Sequence, residues 1–282
     1  MIGIVVSPEL VEIHTGAVMK RVKKSYDEKQ ILACVKQLGK DSIEDFVKAD
    51  VEEMRRWTKE QPADLQFDSF RLMYTRFFSN GAENNVADGY NAYMFLKKLD
   101  VTVCPYCDDE YLGVVDIDGK QRRTCEIDHF FPKSRYPALA MCIYNLVPSG
   151  QSCNGLKMEW EIGANPHETM IESWTHLFPD LPVGQLLELM EPSECRVGFH
   201  ATNGMEGNVD KLALEQRYER HAPEVHRLLM NLQRYSKEKI EELVKMGFGT
   251  SDEIISSNFG PQNPDEKKKA LRQKMLRDLT GY

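Results

Sequence analysis

The chain of 282 residues is long enough for one large domain or two smaller ones, each with its own hydrophobic core. Apolar residues make up 41% and charged residues 28%, and no apolar run approaches the roughly 18 residues that a membrane-spanning helix needs. The net charge of -8 argues against a protein that coats nucleic acid non-specifically, because phosphate binding normally accompanies a basic excess.

The cysteines and the N-terminal segment "MIGIVVSPELVEIH" bear on the cellular compartment. The short apolar run has no basic residue before it and ends at Pro8, which is too early for a secretory signal. We therefore expect a cytoplasmic protein with reduced thiols and no membrane partner. Closely spaced cysteines are then candidate metal ligands before they are candidate disulfides.

The first region, residues 1–100, is predicted to be helical. Ser25 and Glu28 have the spacing of a capping box at the start of a helix that ends at Gly39. A second helix is predicted over residues 42–57, and further apolar helical faces follow it. The aromatic residues on these faces are expected to form core.

The middle region, residues 101–166, changes to short β-branched runs. Two strands joined by a turn at Asp118-Gly119 are predicted to form a β-hairpin. Residues 136–148 predict a further extended segment, after which Ser152 is the expected N-cap of a short helix. The predicted order is hairpin, loop and helix.

The third region, residues 167–282, is predicted to be loop-rich and then helical. The loops cover about residues 161–207, and helical spacing resumes from about Val209 despite Pro223. Residues 249–267 predict a linker, and a basic amphipathic helix closes the chain. The predicted fold class is α+β, mostly helical.

Metal-ligand chemistry is concentrated in the middle region. Cys104 and Cys107 can share one Zn²⁺, but a tetrahedral site needs two more ligands, of which Cys153 is a candidate. Four short motifs follow one another there: "CPYC" (104–107), "IDH" (127–129), "YNLVP" (144–148) and "CNGLK" (153–157).

Oxygen ligands and a candidate base lie in the same region. Asp128 and Asn154 offer hard oxygen atoms that suit Mg²⁺ or Mn²⁺. His129 can be a satisfied core residue, a metal ligand or a general base, and its place beside Asp128 does not decide among these roles. Asn145 is placed to tie the loop between the motifs.

The order CPYC, DH, N and CN-x-x-K resembles that of the HNH endonucleases, whose ββα-metal fold is a hairpin followed by a helix. The segment "IDHFFPKSRYPALAMCIYNLVPS" is similar to a bacterial HNH group associated with anti-phage defence, including the HNH subunits of Septu and related retron systems. The resemblance is strong over residues 92–166 and diffuse elsewhere.

The resemblance implies a role for each matching residue. His129 matches the general base that activates water, and Asp128 matches the neighbouring acid that binds the catalytic metal. Asn154 matches the second metal ligand, on the helix. Asn145 matches the middle asparagine, which holds the loop and orients the histidine. Lys157, one turn after Asn154, matches a lysine that meets a phosphate oxygen.

The implied reaction is hydrolysis of a phosphodiester bond in nucleic acid, DNA being favoured, with one Mg²⁺ or Mn²⁺ ion. The metal stabilises charge that grows in the transition state, and the products carry 5′-phosphate and 3′-hydroxyl ends. Lys133 and Arg135 supply the local positive charge for nucleic-acid binding that the whole chain lacks.

The structural zinc site departs from the family pattern. HNH proteins with two knuckles have a second Cys-x-x-Cys, but here "GQSC" puts Gly150 in the place of its first cysteine. Three thiolates remain, from Cys104, Cys107 and Cys153. The candidates for a fourth ligand are Cys125, Cys142, His167 and water.

Three functions remain open at this point. An active nuclease is favoured because all four catalytic-type positions are intact. A zinc-knuckle module that binds nucleic acid or protein, with a dead site, is the alternative to which the broken second knuckle points. The third is a structural adaptor in which Asp128 and His129 are core groups.

The acidic charge predicts that the chain does not cut efficiently alone. Long-range repulsion slows its encounter with phosphates, and a local basic patch must overcome that repulsion within a Debye length of about 8 to 10 Å. The basic terminal helix can dock on a partner or on nucleic acid, or the flanking helices can simply complete the core. The resemblance favours an ATPase partner that senses the trigger and presents the substrate.

Overall fold

The computed structural model describes residues 1–79, 85–267 and 269–282. Residues 80–84 of the first predicted region and Lys268 of the predicted basic helix lie outside the described residues. The fold is α+β, with about half of the chain helical and small antiparallel sheets, which confirms the predicted class. Among the described helices, none combines the length and the hydrophobicity that crossing a bilayer requires.

Several helices begin at a polar side chain that accepts a hydrogen bond from the first turn, as Ser7 does from the Leu10 N–H. The helices of the described residues are, in chain order, α1 (Pro8–Ser25), α2 (Glu28–Gln37), α3 (Ile43–Val47), α4 (Val51–Glu60), α5 (Ser69–Met73), α6 (Ala92–Leu99), α7 (Gln151–Lys157), α8 (Met205–Lys211), α9 (Leu214–Tyr218), α10 (Ala222–Arg234), α11 (Lys237–Lys245), α12 (Ser251–Phe259), α13 (Pro264–Lys267) and α14 (Gln273–Thr280). A π-helical turn, Tyr74–Phe78, continues α5.

The strands of the described residues form three separate two-stranded antiparallel sheets. They are β1 (Val114–Ile117) with β2 (Lys120–Arg123), β3 (Glu126–His129) with β4 (Leu146–Ser149), and β5 (Thr175–Asp180) with β6 (Arg196–Ala201). The predicted turn at Asp118-Gly119 is confirmed, because both residues have positive φ and join β1 to β2.

The predicted capping box at Ser25 is wrong. Ser25 is the last residue of α1, and α2 is capped by Asp27, whose carboxylate accepts from the Gln30 N–H at 3.1 Å. Gly39, at φ +77°, follows the end of α2, as predicted.

The predicted single helix over residues 42–57 is two helices. Ser42 caps α3, which ends at Val47. Asp50 and Glu53 then form a capping box that starts α4. The interruption has a local cause, because Asp50 bonds the Glu53 N–H and cannot also continue a helix.

The C-terminal half holds more regular structure than predicted. The loop-rich stretch contains the hairpin of β5 and β6, in which Gly198 lies directly under the Phe178 ring. The predicted linker over residues 249–267 contains α12, which begins with a capping box of Thr250 and Glu253. That signature is present in the sequence and was overlooked among the polar residues around it.

The closing basic helix is present as α14, but it is packed into the protein. Leu276 and Leu279 are buried, and the flanking charges are paired inside the chain. Arg272 bonds Asp109 and Glu224, while Arg277 bonds Glu172. This helix is therefore part of the core and does not stand free for docking.

Two hydrophobic cores organise the molecule. The first contains residues from all three predicted regions, from Met1 to Leu214, and surrounds β3, β4 and α7. The second joins the hairpin of β5 and β6 to α10, α12 and α14. In the first core, the π-helical turn places Tyr74 against His129, with 4.3 Å between the ring centroids.

Candidate functional site

The two polar residues of the IDH motif lie on β3, which pairs with β4 across the sixteen residues from 130 to 145. The register sets Asp128 opposite Val147 and His129 opposite Leu146. The predicted hairpin at Asp118-Gly119 therefore does not carry them, since β2 ends at Arg123. The strand pair that precedes the helix is β3 with β4.

The helix α7 begins directly after β4. Its N-cap is Gly150, so the predicted cap at Ser152 is wrong. Asn154 and Lys157 stand on this helix, one turn apart. The unit of two antiparallel strands and a helix thus brings the IDH and CNGLK motifs together.

Asn145 holds the loop between β3 and β4. Its buried side chain accepts from the Phe131 N–H at 2.7 Å and donates to the carbonyls of Phe131 at 3.1 Å and Leu139 at 3.0 Å. The segment predicted to be extended is instead two 3₁₀ turns, Pro137–Met141 and Ile143–Asn145, followed by β4. Asn145 pairs both backbone groups of Phe131 and adds a second hydrogen bond to the Leu139 carbonyl, which also accepts from the Cys142 N–H.

His129 has one nitrogen bound and one free. Nε2 lies 3.1 Å from the Ala140 carbonyl, which only accepts, so Nε2 carries the proton. Nδ1 then bears the lone pair, and it has no hydrogen-bond partner among the described residues. Burial, with the ammonium groups of Lys133 and Lys157 nearby, lowers the pKa of His129 well below its usual 6.5. The imidazole is therefore a neutral base at neutral pH.

Asp128 is 5% exposed and has two protein partners. The Tyr106 hydroxyl donates to Oδ2 at 2.7 Å, and the Lys157 ammonium lies 3.2 Å from Oδ1 and 3.1 Å from Oδ2. Lys157 also donates to the His129 carbonyl at 2.9 Å. Since a carboxylate offers about four lone-pair sites, Asp128 keeps room for a metal ion.

A cavity of about 560 Å³ opens at this site. Asp128, His129 and Asn154 all line it. The Asn154 side chain makes no hydrogen bond to any described residue, so its amide oxygen is available to a ligand. The basic residues of the wall are Arg71, Arg123 and Lys133.

Lys157 does not lie on this wall. Its side chain is fully buried, and its ammonium is bonded to Asp128 and to the His129 carbonyl. The predicted contact with a phosphate oxygen is therefore replaced by an ion pair behind the carboxylate. The lysine fixes Asp128 and the end of β3 to α7.

The two residues predicted to bind nucleic acid have different positions. Lys133 lines the cavity, and its ammonium lies 5.4 Å over the Tyr74 ring, with no ion-pair partner in the described part of the chain. Arg135 is paired with Glu161 at 2.8 Å and does not line the cavity. Of these two residues, only Lys133 lies at the site.

Arg123 is a site residue that sequence reasoning missed. In the sequence it is only one member of a basic run. In the structure it is the last residue of β2 and lines the cavity. Its Nη1 is buried and has no hydrogen-bond partner among the described residues. The only sequence signal was the run "KQRR", which is more often a solvated strand face.

The three predicted zinc ligands form a cluster. The sulfur atoms of Cys104, Cys107 and Cys153 all lie within 4.8 Å of one another, and all three side chains are buried. This cluster can hold a metal ion such as zinc. Burial raises the pKa of the Cys104 thiol to about 12, so a bound ion must displace protons.

The predicted candidates for a fourth protein ligand lie elsewhere. The Cys125 and Cys142 thiols donate weakly to the carbonyls of Gly113 and Phe46, and His167 is hydrogen-bonded to the Leu146 carbonyl. None of the three belongs to the cysteine cluster of the described residues.

Comparisons with protein-family models, with curated proteins and with solved structures found no match. The geometry of the chain is therefore what bears on its function. Two arrangements stand out: a neutral histidine beside a carboxylate in an open cavity, and three buried thiols within metal-binding distance.

Proposed function

We propose that the chain is a metal-dependent HNH endonuclease that hydrolyses phosphodiester bonds in nucleic acid, with DNA as the favoured substrate. The observation that carries the proposal is the unpartnered Nδ1 of His129, on the wall of the cavity that Asp128 and Asn154 share. A buried, neutral imidazole with a free lone pair is suited to take a proton from water.

Asp128 and Asn154 would hold the Mg²⁺ or Mn²⁺ ion. Their oxygen atoms suit a hard cation, and one carboxylate completed by substrate phosphates is a common magnesium site. When bound, the ion stabilises the negative charge that develops on the phosphate and the leaving oxygen. The Lys157 ion pair partly neutralises Asp128, which favours joint binding of ion and substrate over tight binding of the ion alone.

Other residues of the chain transfer the proton, position His129 and contact the phosphate. His129 accepts the proton of the attacking water at Nδ1, and the Ala140 carbonyl stabilises the imidazolium through Nε2–H. Asn145 holds the loop that contains Ala140, so it fixes the direction in which His129 points. Arg123 and Lys133 line the wall without an ion-pair partner among the described residues, and they meet the phosphate oxygens.

The test is nicking of a supercoiled plasmid with Mg²⁺ or Mn²⁺ and, as a blank, with EDTA. His129→Ala is expected to lower the rate by about a hundredfold to ten-thousandfold, since a general base typically contributes that much. His200→Ala, a change of an exposed histidine on β6, is the matched control and should cut at the wild-type rate. Equal rates for His129→Ala and wild type, with both folded, would remove His129 from the mechanism.

A second function is favoured by the cysteine cluster together with the Lys157–Asp128 ion pair. If the Lys157 ammonium remains paired with the Asp128 carboxylate and keeps the catalytic metal from binding, the chain is a zinc-knuckle module that binds nucleic acid or protein and does not cut. Bound zinc with no nicking under either divalent ion distinguishes this function from the nuclease.

The biological role is proposed from the resemblance of residues 92–166 and from the charge of the chain. The chain acts as the effector of an anti-phage defence system, with an ATPase as its partner. The net charge of -8, and the pairing of Arg135, Arg272 and Arg277 inside the chain, support the need for a partner that brings the substrate.

A further inference from the structure

Gly150 stands where the resemblance places a fourth cysteine, and the space beside it is filled. A Cβ atom at Gly150 would lie 2.0 Å from Oε2 of Glu110, 2.5 Å from its Cδ and 3.0 Å from its Cβ. These distances are too short for any non-bonded contact. The carboxylate of Glu110 therefore occupies the volume that a side chain at position 150 would enter.

The backbone holds Glu110 against the cysteines. The Cys104 N–H donates to the Glu110 carbonyl at 2.9 Å, and the Asp108 N–H donates to the Cys104 carbonyl at 2.8 Å. This loop returns the chain to Cys104 within a few residues. On the other side, the Gly150 N–H donates to Cys104 Sγ at 3.3 Å, which ties the start of α7 to the same sulfur.

One guanidinium joins the carboxylate to the thiol cluster. Arg217 donates from Nη1 to Cys153 Sγ at 3.2 Å and from Nη2 to Glu110 Oε1 at 3.1 Å. The carboxylate of Glu110 lies beside the group of three sulfur atoms within 4.8 Å of one another but is not part of it, so binding a shared ion requires a turn of the Glu110 side chain away from Arg217. Arg217 keeps its charge at every physiological pH, so it favours the anionic forms of both.

We propose that Glu110 is the fourth ligand of a Zn²⁺ site completed by Cys104, Cys107 and Cys153. Zinc accepts sulfur and carboxylate oxygen together in a tetrahedral shell. Three thiolates and a carboxylate carry four negative charges, of which the ion cancels two and Arg217 a third. A residue from a different part of the chain thus replaces the missing cysteine. This zinc assignment goes beyond the proposed nuclease function and does not depend on it.

The experiment measures zinc affinity of the full chain by competition with a chromophoric chelator. Glu110→Ala should weaken binding at least about tenfold, because loss of even an outer-shell partner typically costs about tenfold to a hundredfold. Glu161→Ala is the matched control, since Glu161 is also paired with an arginine, Arg135, but lies away from the cysteines. It should bind zinc like the wild type.

A double variant tests the position of the carboxylate. Glu110→Ala clears the space beside residue 150, so adding Gly150→Cys should build a fourth thiolate and restore wild-type affinity. In the cobalt-substituted protein, the sulfur-to-metal charge-transfer band should then rise from a three-thiolate to a four-thiolate intensity. Restoration supports the assignment, and equal affinity of Glu110→Ala and wild type overturns it.

X-ray absorption at the zinc edge decides the question on the wild-type chain alone, even where a variant does not fold. Three sulfur atoms and one carboxylate oxygen in the first shell support the assignment. A shell of four sulfur atoms, or purified protein without zinc that takes up none on addition, overturns it. Neither readout involves nucleic-acid cleavage, so failure here is separate from failure of the nuclease.

Discussion

Asn145 and Asn154 show how the same residue type performs two tasks nine positions apart. The Asn145 side chain is buried and makes three hydrogen bonds to the loop backbone. The Asn154 side chain lines the cavity and makes none to the described residues. Burial and partners, which the residue letter does not reveal, separate the structural role from the proposed ligand role.

Asn145→Ala is expected to lower the free energy of unfolding by about 2 to 4 kcal/mol, because the buried N–H and carbonyl of Phe131 lose their partner and the Leu139 carbonyl loses one of two. Asn154→Ala is the matched control and should change it by less than about 0.5 kcal/mol. Urea denaturation followed by circular dichroism measures both. A stability loss as large in Asn154→Ala as in Asn145→Ala would contradict the division of roles.

Helix α1 is connected to the site loop by a buried histidine. His14 lies between the Tyr90 hydroxyl and the Met141 carbonyl, 2.8 Å from each. Met141 ends the 3₁₀ turn that contains Ala140, the acceptor for His129. Burial lowers the pKa of His14 from its usual 6.5 to about 4, so the ring is neutral in the folded protein.

This contact predicts acid destabilisation. Below pH 6.5 the unfolded chain binds a proton on His14 that the folded chain does not bind until about pH 4, so stability falls as the pH drops through this window. The loss from this one group is about 3 kcal/mol.

Urea denaturation at several pH values between 7 and 4 measures the effect, with His14→Gln as the comparison. The variant should be less stable than the wild type at pH 7, because glutamine replaces the ring imperfectly, but its stability should depend less on pH. Parallel pH dependences in the two proteins would show that other groups, such as buried His167, account for the acid sensitivity.

At the scale of the whole molecule, the loop of residues 104–110, which contains Cys104 and Cys107, joins the first core to the helices of the second. Asp109, two residues after Cys107, is 8% exposed and bonds Arg220, His221 and Arg272 of the C-terminal half. Arg272, one of the basic residues that the sequence analysis offered to a partner, is used here to close the fold.

The whole-molecule charge predicts slow cleavage by the isolated chain. The rate per chain at physiological ionic strength is expected to rise when the product of the neighbouring gene, expected to be an ATPase, is added. Nicking assays at fixed salt, with and without that protein, measure the change, and heat-denatured partner is the control. Full, unregulated activity of the chain alone would refute the partner requirement.

Local sequence determined the features whose causes are local. Asp118-Gly119 predicts its turn because both residues tolerate positive φ, and residues 92–99 form α6 because their apolar positions share one face. The three clustered cysteines were also predicted, since their spacing and the motif order come from the sequence itself.

Tertiary structure alone decided the contacts between distant residues. The pairing of β3 with β4, the ion pair of Lys157 with Asp128 and the approach of Glu110 and Arg217 to the cysteines join residues that no local pattern relates. Hydrogen bonds and ion pairs of this kind form only when core packing has brought distant segments of the backbone together. The identity of a side chain states what it can bind, whereas packing determines which partner it meets.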